Sequence, residues 1–98
     1  MEGRLGTDHP DAEVSWFLYV IECQDGSLYT GIARDPHLRY AEHATGTGAR
    51  YTRSHPPARL LMVEPHTDRS SALKAEYAFK QLAPAEKRRR CLLASSPS

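Results

Sequence analysis

The sequence predicts a small α+β domain in which a three-stranded, mainly antiparallel sheet is flanked by helices, in the order β-β-α-β-α-α. Two short apolar runs rich in aromatic and branched residues lie on either side of a tight-turn signal, which is typical of a β-hairpin. A third apolar run, "ARLLMVEPH", returns after a helical segment, and two more helical segments follow it. The 98 residues suffice for one such domain with a modest core.

The first two strands are predicted at residues 16–23 and about 28–32, and each carries a tyrosine. A two-residue turn between the strands would place Tyr19 and Tyr29 on opposite faces of the sheet. A three-residue loop, with Gly26 in the left-handed conformation, would place both tyrosines on one face. Local propensity is compatible with both loops.

The remaining elements are marked by capping residues and prolines. Asp35, followed by a proline, predicts a helix of about ten residues. The segment "ARYTRSHPP" that follows predicts a basic loop. The third strand comes next and is closed by its own proline. Asp68 or Ser70 then begins a helix through Leu82, and Pro84 begins another short helix.

The predicted domain spans residues 16–93, between flexible tails at residues 1–15 and 94–98. The first 14 residues carry four carboxylates and one arginine, a net charge of −3; because the whole chain has a net charge of +1, the rest carries +4. A mildly basic domain fits an anionic partner such as nucleic acid. The sequence has no export signal and no membrane-spanning segment, so we expect a cytoplasmic location.

Three sets of side chains could carry chemistry. Arg39 and His43 lie four apart on one face of the first helix, where they could meet a phosphate or form a solvated face. Glu76 lies in an apolar helical stripe predicted to face the sheet, where it needs a partner such as a divalent cation or Lys80. The loop after the first helix interleaves cations and aromatic rings that suit phosphates and bases, or it is simply solvated. Its members are Arg50, Tyr51, Arg53 and His55.

Together these residues resemble a known family. "LYV" at residues 18–20, "YTG" at residues 29–31, Arg39, His43 and Glu76 are similar to the five-part signature of the GIY-YIG nuclease superfamily. The segments "GTGARYTR" and "DRSSALKAE" resemble its small, single-domain bacterial branch. The resemblance covers nearly the whole predicted domain. It implies the GIY-YIG fold and a relationship to the N-terminal nuclease domain of the bacterial excision-repair endonuclease.

The resemblance implies a metal-dependent DNA endonuclease that nicks DNA and serves DNA repair or processing. It implies one Mg²⁺ or Mn²⁺ ion at Glu76, with Arg39 offsetting the charge on the phosphate. Tyr19 or Tyr29 would orient or deprotonate the attacking water, assisted by His43, and nearby positive charge would lower the tyrosine pKa from about 10. The family's tyrosines share one face, which implies the three-residue loop.

Two other functions stay open at this point. A nucleic-acid-binding or adaptor module would keep the fold with little hydrolytic activity; Ile32, where some family members have lysine, favours it. An interaction protein with a basic helix for an acidic partner would fit the charge but leave the five signature residues unexplained. Because the domain has no room for a separate DNA-binding unit, we expect weak, salt-sensitive DNA binding that a protein partner or a homodimer would reinforce.

Overall fold

The computed structural model of the protein describes residues 15–95. Within that range the chain forms three strands and four helices, in the order β1 (Trp16–Cys23), β2 (Leu28–Ala33), α1 (Pro36–Ala44), α2 (Arg50–Ser54), β3 (Pro57–His66), α3 (Arg69–Lys80) and α4 (Pro84–Ser95). The predicted α+β class is confirmed. The predicted tails fall largely outside the described residues. None of the helices in the described range is long and apolar enough to cross a membrane.

Strand β1 is the centre of the sheet, which has the order β2-β1-β3 with both pairs antiparallel. Because both edges of β1 are paired and both of its faces are covered, residues 18–21 are almost completely buried. Strand β3 continues one residue past Pro65, which pairs with Phe17. Proline is tolerated there because β3 is an edge strand, and its missing N–H need not donate to a neighbour.

The hairpin between β1 and β2 has the three-residue loop. The backbone N–H of Cys23 donates to Ser27 O at 2.8 Å, and that of Gly26 donates to Cys23 O at 2.9 Å. Gly26 has a φ of 87°, a conformation that glycine adopts without steric cost. Tyr29 therefore pairs with Ile21. Because side chains alternate along each strand, Tyr19 and Tyr29 lie on the same face of the sheet.

The two faces of the sheet carry separate apolar clusters. One cluster lies under α3 and α4, and its buried members are Leu18, Val20, Met62, Phe79 and Cys91. The other lies on the face that packs against α1, and its buried members are Tyr19, Ile21, Cys23 and Ala33. The tyrosines of the predicted site therefore belong to the second face.

Helices α1 and α3 begin at predicted caps, but the basic segment is not a loop throughout. The Asp35 carboxylate accepts from Leu38 N at 3.1 Å, and Asp68 rather than Ser70 caps α3. The prediction of a loop for "ARYTRSHPP" is wrong for residues 50–54, which form α2. Its N-cap residue makes no side-chain cap bond, so the sequence carries no start signal. Tertiary contacts of this helical turn stabilise it instead.

Candidate active site

The side chain of Tyr19 is 1% exposed and lies over Gly31, its cross-strand partner on β2. A Cβ atom at Gly31 would lie 2.6 Å from the Tyr19 Oη and 2.8 Å from its Cζ. Real Cβ atoms do not approach other atoms so closely, so this position has room for glycine alone. The glycine of the "YTG" segment therefore makes the space into which the Tyr19 ring extends.

His43, near the end of α1, is 1% exposed and joins Tyr19 to the segment after α1. Its Nε2 lies 3.0 Å from the Tyr19 Oη. Its Nδ1 lies 2.7 Å from the Thr52 Oγ1 on α2 and, at the longer distance of 3.3 Å, from Ala49 N. A Cβ at Gly48 would collide with this imidazole ring, so a second glycine is needed to seat it.

Thr52 sets the proton arrangement of this histidine. It is 2% exposed, and its hydroxyl donates to Ala49 O at 2.9 Å. Since that hydroxyl has one hydrogen, it accepts from Nδ1–H of His43, which leaves the Nε2 lone pair to accept from Tyr19. In the other tautomer the Thr52 hydroxyl would leave Ala49 O and donate to Nδ1, which would also accept from Ala49 N–H at 3.3 Å; the 2.9 Å bond from Thr52 to Ala49 O favours the first arrangement. Side chains from β1, α1 and α2 thus form one hydrogen-bonded chain.

The protonation states in this chain differ from the sequence-based expectation. Burial first, and then the neighbouring Tyr29, raise the pKa of Tyr19 to about 12, and Arg39 lowers it by less. The expected lowering of this tyrosine pKa is therefore wrong for Tyr19. Burial, followed by the charge of Arg39, lowers the pKa of His43. At neutral pH the pair is a neutral phenol and a neutral imidazole.

Arg39 and His43 do not present one shared surface, because His43 is buried while the Arg39 side chain is 41% exposed. The Arg39 guanidinium donates to the Glu42 carboxylate at 2.6 Å, a bond that raises the pKa of Arg39. It also lowers the pKa of Tyr19 through its charge and a hydrogen bond. Arg39 is therefore the cation beside the phenol, and Glu42 is its present partner.

Glu76 on α3 lies at the margin of the apolar face of its helix. Of the stripe predicted around it, Ala72 and Phe79 are buried, but Leu73 is 38% exposed. The Glu76 side chain is 19% exposed and lies 3.1 Å from the Lys80 Nζ. Its charge makes the last and smallest of the named contributions to the pKa of Tyr19, raising it. Of the two predicted partners, Lys80 is present as an ion pair, and the divalent cation stays a prediction.

The Glu76 carboxylate fits a divalent cation that keeps most of its water ligands, rather than a cation enclosed by protein side chains. Among residues 15–95 no three histidine, cysteine or acidic side chains converge in a group that could hold a metal ion. Mg²⁺ commonly keeps several waters and binds one or two carboxylates together with phosphate oxygens of a substrate. A single partly buried carboxylate is compatible with that mode of binding.

The basic segment reaches the tyrosine pair through a row of aromatic rings. Tyr29 stacks on Tyr51 with a centroid distance of 5.8 Å, and Tyr51 stacks on His55 at 4.1 Å. His55 is anchored to the hairpin loop, since its Nδ1 lies 2.7 Å from the Asp25 Oδ2. Tyr51 is 37% exposed and sits between its two neighbours in the row. Nucleic-acid contact by this segment stays a prediction.

The cations of α2 are directed to solvent. Arg50 and Arg53 are exposed, and neither forms an ion pair with any residue between 15 and 95. They stand next to the aromatic row. Of the predicted binding residues, Tyr51 stacks on Tyr29, and Arg50 and Arg53 are its neighbours on α2, while Thr52 points inward. The sequence does not indicate a role for Thr52, because a threonine in a basic segment is not expected to be buried against a histidine.

Comparison with known proteins finds related chains. The family described as the GIY-YIG catalytic domain matches residues 15–89. A UPF0213 protein of Desulfotalea psychrophila is 49% identical over 86 residues, covering 87% of this chain and 74% of that protein. A UPF0213 protein of Cupriavidus pinatubonensis is 45% identical over 85 residues, covering 87% of this chain and 94% of its own.

Two solved structures are also similar. The solution NMR structure of a UPF0213 protein from Bacillus halodurans has a TM-score of 0.54 at 36% identity, covering 84% of this chain and 87% of its own. The solution NMR structure of a protein from E. faecalis has a TM-score of 0.55 at 38% identity, covering 92% and 86%. Both support the fold described above.

Proposed function

Because the chain belongs to the GIY-YIG catalytic domain family, a family of nuclease type, we propose that it is a metal-dependent DNA endonuclease that nicks phosphodiester bonds. The observation that carries this proposal is the buried hydrogen-bonded chain of Tyr19, His43 and Thr52, with the Arg39 guanidinium beside Tyr19. A purely structural core would have no need to bury a phenol, an imidazole and a hydroxyl together, since each must find a partner.

In this proposal Tyr19 and His43 act as one proton acceptor. A phenol with a pKa of about 12 does not ionise by itself at neutral pH, so Tyr19 alone is a poor general base. The neutral His43 supplies the missing acceptor: as Tyr19 takes a proton from the attacking water, its own proton moves to Nε2. The Nδ1–H bond to Thr52 holds the imidazole in the tautomer that this transfer requires.

Arg39 is proposed to bind the phosphate. Its guanidinium is charged at all relevant pH values and can donate two parallel hydrogen bonds to phosphate oxygens. In the free protein it is held by Glu42, and the partly exposed position of both side chains lets a phosphate compete for it. Charge that develops on the phosphate oxygens during displacement would then face a fixed cation.

Glu76 is proposed to hold one Mg²⁺ or Mn²⁺ ion, which when bound would supply Lewis-acid stabilisation of the leaving oxygen. Lys80 is the present partner of this carboxylate. An ion pair between residues four apart on a helix is worth only about 0.3–0.5 kcal/mol, so the lysine is a weak competitor. The exposed cations and aromatic rings of α2, Arg50, Tyr51 and Arg53, are proposed to bind the nucleic acid on the Tyr29 side.

The test is cleavage of labelled single-stranded, duplex, flap and four-way DNAs, with an RNA strand alongside, at low salt with Mg²⁺ or Mn²⁺. Glu76→Gln should abolish nicking, as should a chelator. The matched control is Glu86→Gln, which removes an exposed carboxylate of α4 and should cut like the wild type. A preference for flap or four-way DNA would connect the protein to repair or processing. Equal activity in both variants would refute the assignment of Glu76.

A second function is supported by the same site. The raised pKa of Tyr19 and the lysine on Glu76 favour a nucleic-acid-binding module that keeps the fold without hydrolysis. Such a module would bind the DNA panel as well after Glu76→Gln as before, and no condition would produce nicks. In that case a protein partner or a second copy of the chain should be sought as the source of a complete site.

A further inference from the structure

A second cationic cluster lies outside the proposed catalytic residues. The guanidinium Cζ of Arg34 lies 5.8 Å from the centre of the Trp16 ring, and that of Arg69 lies 5.7 Å from it. The indole is held in place because the preceding residue, Ser15, is bonded to the end of β3: its N–H donates to His66 O and its hydroxyl to Thr67 O. Two arginines therefore converge on one fixed aromatic ring.

Neither arginine is neutralised within the described part of the chain. Both side chains are exposed, and neither forms an ion pair with any residue between 15 and 95. The carboxylates next to them in sequence are used otherwise: Asp35 caps α1 and Asp68 caps α3. Both guanidiniums therefore keep N–H donors that an anion can accept from.

The cluster lies along the same strands as the proposed catalytic residues. Trp16 comes three residues before Tyr19 on β1, and Arg34 comes three residues after Gly31, just past β2. Because the strands are antiparallel, both offsets run in the same direction, and at about 3.3 Å per residue each amounts to roughly 10 Å along the strand. Three is an odd offset, so the Trp16 side chain points to the face of Leu18 and Val20, opposite the face of Tyr19.

The helix gives the same displacement independently. Arg69 begins α3 and comes seven residues before Glu76 on that helix. At about 1.5 Å per residue this separation is again roughly 10 Å. On β1, β2 and α3 alike, the residue of the cationic cluster and the residue of the proposed site are therefore about 10 Å apart along the element.

We propose that Arg34 and Arg69, whose guanidiniums lie over Trp16, form a phosphate-binding subsite for the nucleic-acid backbone on the face of the sheet that α3 covers. This inference rests on the proposed function for its ligand, but it concerns binding rather than hydrolysis.

The Trp16 ring positions the two guanidiniums of the subsite. The indole face attracts a guanidinium and leaves the N–H groups at the edge of that guanidinium free to donate to phosphate oxygens. Contacts of this kind carry no sequence information; they fix the position of the strand. The subsite would therefore hold the backbone without preferring any base.

The experiment compares the double variant Arg34→Gln/Arg69→Gln with Lys87→Gln/Arg89→Gln, which removes two charges from α4. Binding of labelled DNA to the whole chain is measured in chelator over a range of salt concentrations. Loss of two phosphate contacts should reduce the slope of log K against log salt by about 1.8 for a duplex. Over a roughly four-fold rise in salt, the advantage of the wild type should then shrink about ten-fold. The control should keep the wild-type slope.

Trp16 provides a second readout because it is the single tryptophan of the chain. Adding DNA should change the tryptophan fluorescence of the wild type and of the α4 control. The change should be absent in Arg34→Gln/Arg69→Gln. Arg34→Lys/Arg69→Lys should restore much of the affinity but less of the fluorescence change, since lysine does not stack as a plane.

The outcomes separate this inference from the proposed function. Equal salt slopes and equal fluorescence changes in the two double variants would overturn the subsite, even if the wild type nicks DNA. Loss of slope in the Arg34→Gln/Arg69→Gln protein alone would support it, even if no condition produces nicks. A wild type that binds no nucleic acid at all would overturn both.

Discussion

Replacing Thr52 by valine tests the proton arrangement of the site at a residue that would contact neither substrate nor metal. The change removes the hydroxyl that lies 2.7 Å from the His43 Nδ1 and donates to Ala49 O at 2.9 Å. The nearest group left to Nδ1 is the backbone N–H of Ala49, at 3.3 Å. Because that group is a donor, the ring proton should move from Nδ1 to Nε2, and Tyr19 should lose its acceptor.

The size of the effect follows from burial. Thr52 is 2% exposed and His43 is 1% exposed, so the groups left without partners cannot turn to water. Leaving a buried polar group unpaired costs about 1–3 kcal/mol of unfolding free energy. General-base assistance contributes about 100-fold to 10,000-fold to a rate, so kcat should fall by at least the lower of these factors.

Three measurements on the same proteins check this reasoning: ¹⁵N NMR of the His43 ring, unfolding by denaturant, and the cleavage rate. Thr52→Ser, which keeps the hydroxyl, should retain the tautomer and most of the rate. Thr45→Val is the matched control, since the hydroxyl of Thr45 is exposed and bonds to Glu42 O at the end of α1. It should alter neither the tautomer nor the rate.

Two results would refute the reasoning. If the His43 ring of the wild type carries its proton on Nε2, the hydrogen-bonded chain runs in the opposite direction and Tyr19 has no acceptor. If Thr52→Val changes the tautomer while the cleavage rate stays the same, His43 takes no part in proton transfer. The NMR result stands on its own should the isolated chain prove inactive.

Gly31→Ala should displace the Tyr19 ring, because the new Cβ would lie 2.6 Å from the Tyr19 Oη. The free energy of unfolding should fall by about 1–3 kcal/mol. A crystal structure of the variant in which the hydrogen bond from Tyr19 to His43 persists would contradict this. Lys80→Ala should free Glu76 and strengthen Mn²⁺ binding about two-fold, whereas unchanged or weaker binding by calorimetry would show that the lysine does not compete. The pKa of Tyr19 is higher in the folded than in the unfolded protein, so the stability that the neutral phenol contributes is present below about pH 10 and is lost as pH rises toward about 12. In denaturant titrations, Tyr19→Phe should remove this decline in the free energy of unfolding. The pKa of His43 is lowered on folding, so stability should decline as pH falls below about 6.5, and a His43→Gln protein with the same decline would contradict the assignment.

The fold is predictable where local signals are strong. Asp35 and Asp68 are readable as caps and the apolar runs as three strands, because these features depend on neighbours in sequence. The face of the tyrosines does not follow from propensity, since Gly26 suits both loop lengths, and only the family resemblance selects the correct one. Helix α2 escapes sequence-based prediction because it lacks a cap.

The site is predictable only in its outline. Residue types at family positions indicate Tyr19, Arg39 and Glu76, but their partners depend on tertiary contacts that no local pattern encodes. The pKa of Tyr19 is an example: a nearby cation should lower it, but burial within the second cluster outweighs that cation. Thr52 becomes visible only once α2 is seen to pack on His43.

The direction of the pKa shifts also constrains how such a site can work. The charge of Arg39 lowers the pKa of both Tyr19 and His43. It therefore favours the phenolate form of Tyr19 but opposes the imidazolium form of His43. In the free protein burial dominates and both groups are neutral. A phosphate that binds Arg39 brings negative charge close to His43, which would make its protonation easier at the moment when a proton must be accepted. Substrate binding and base activation would then be coupled through one arginine, and Arg39→Lys, which keeps the charge, should preserve the coupling better than Arg39→Gln does.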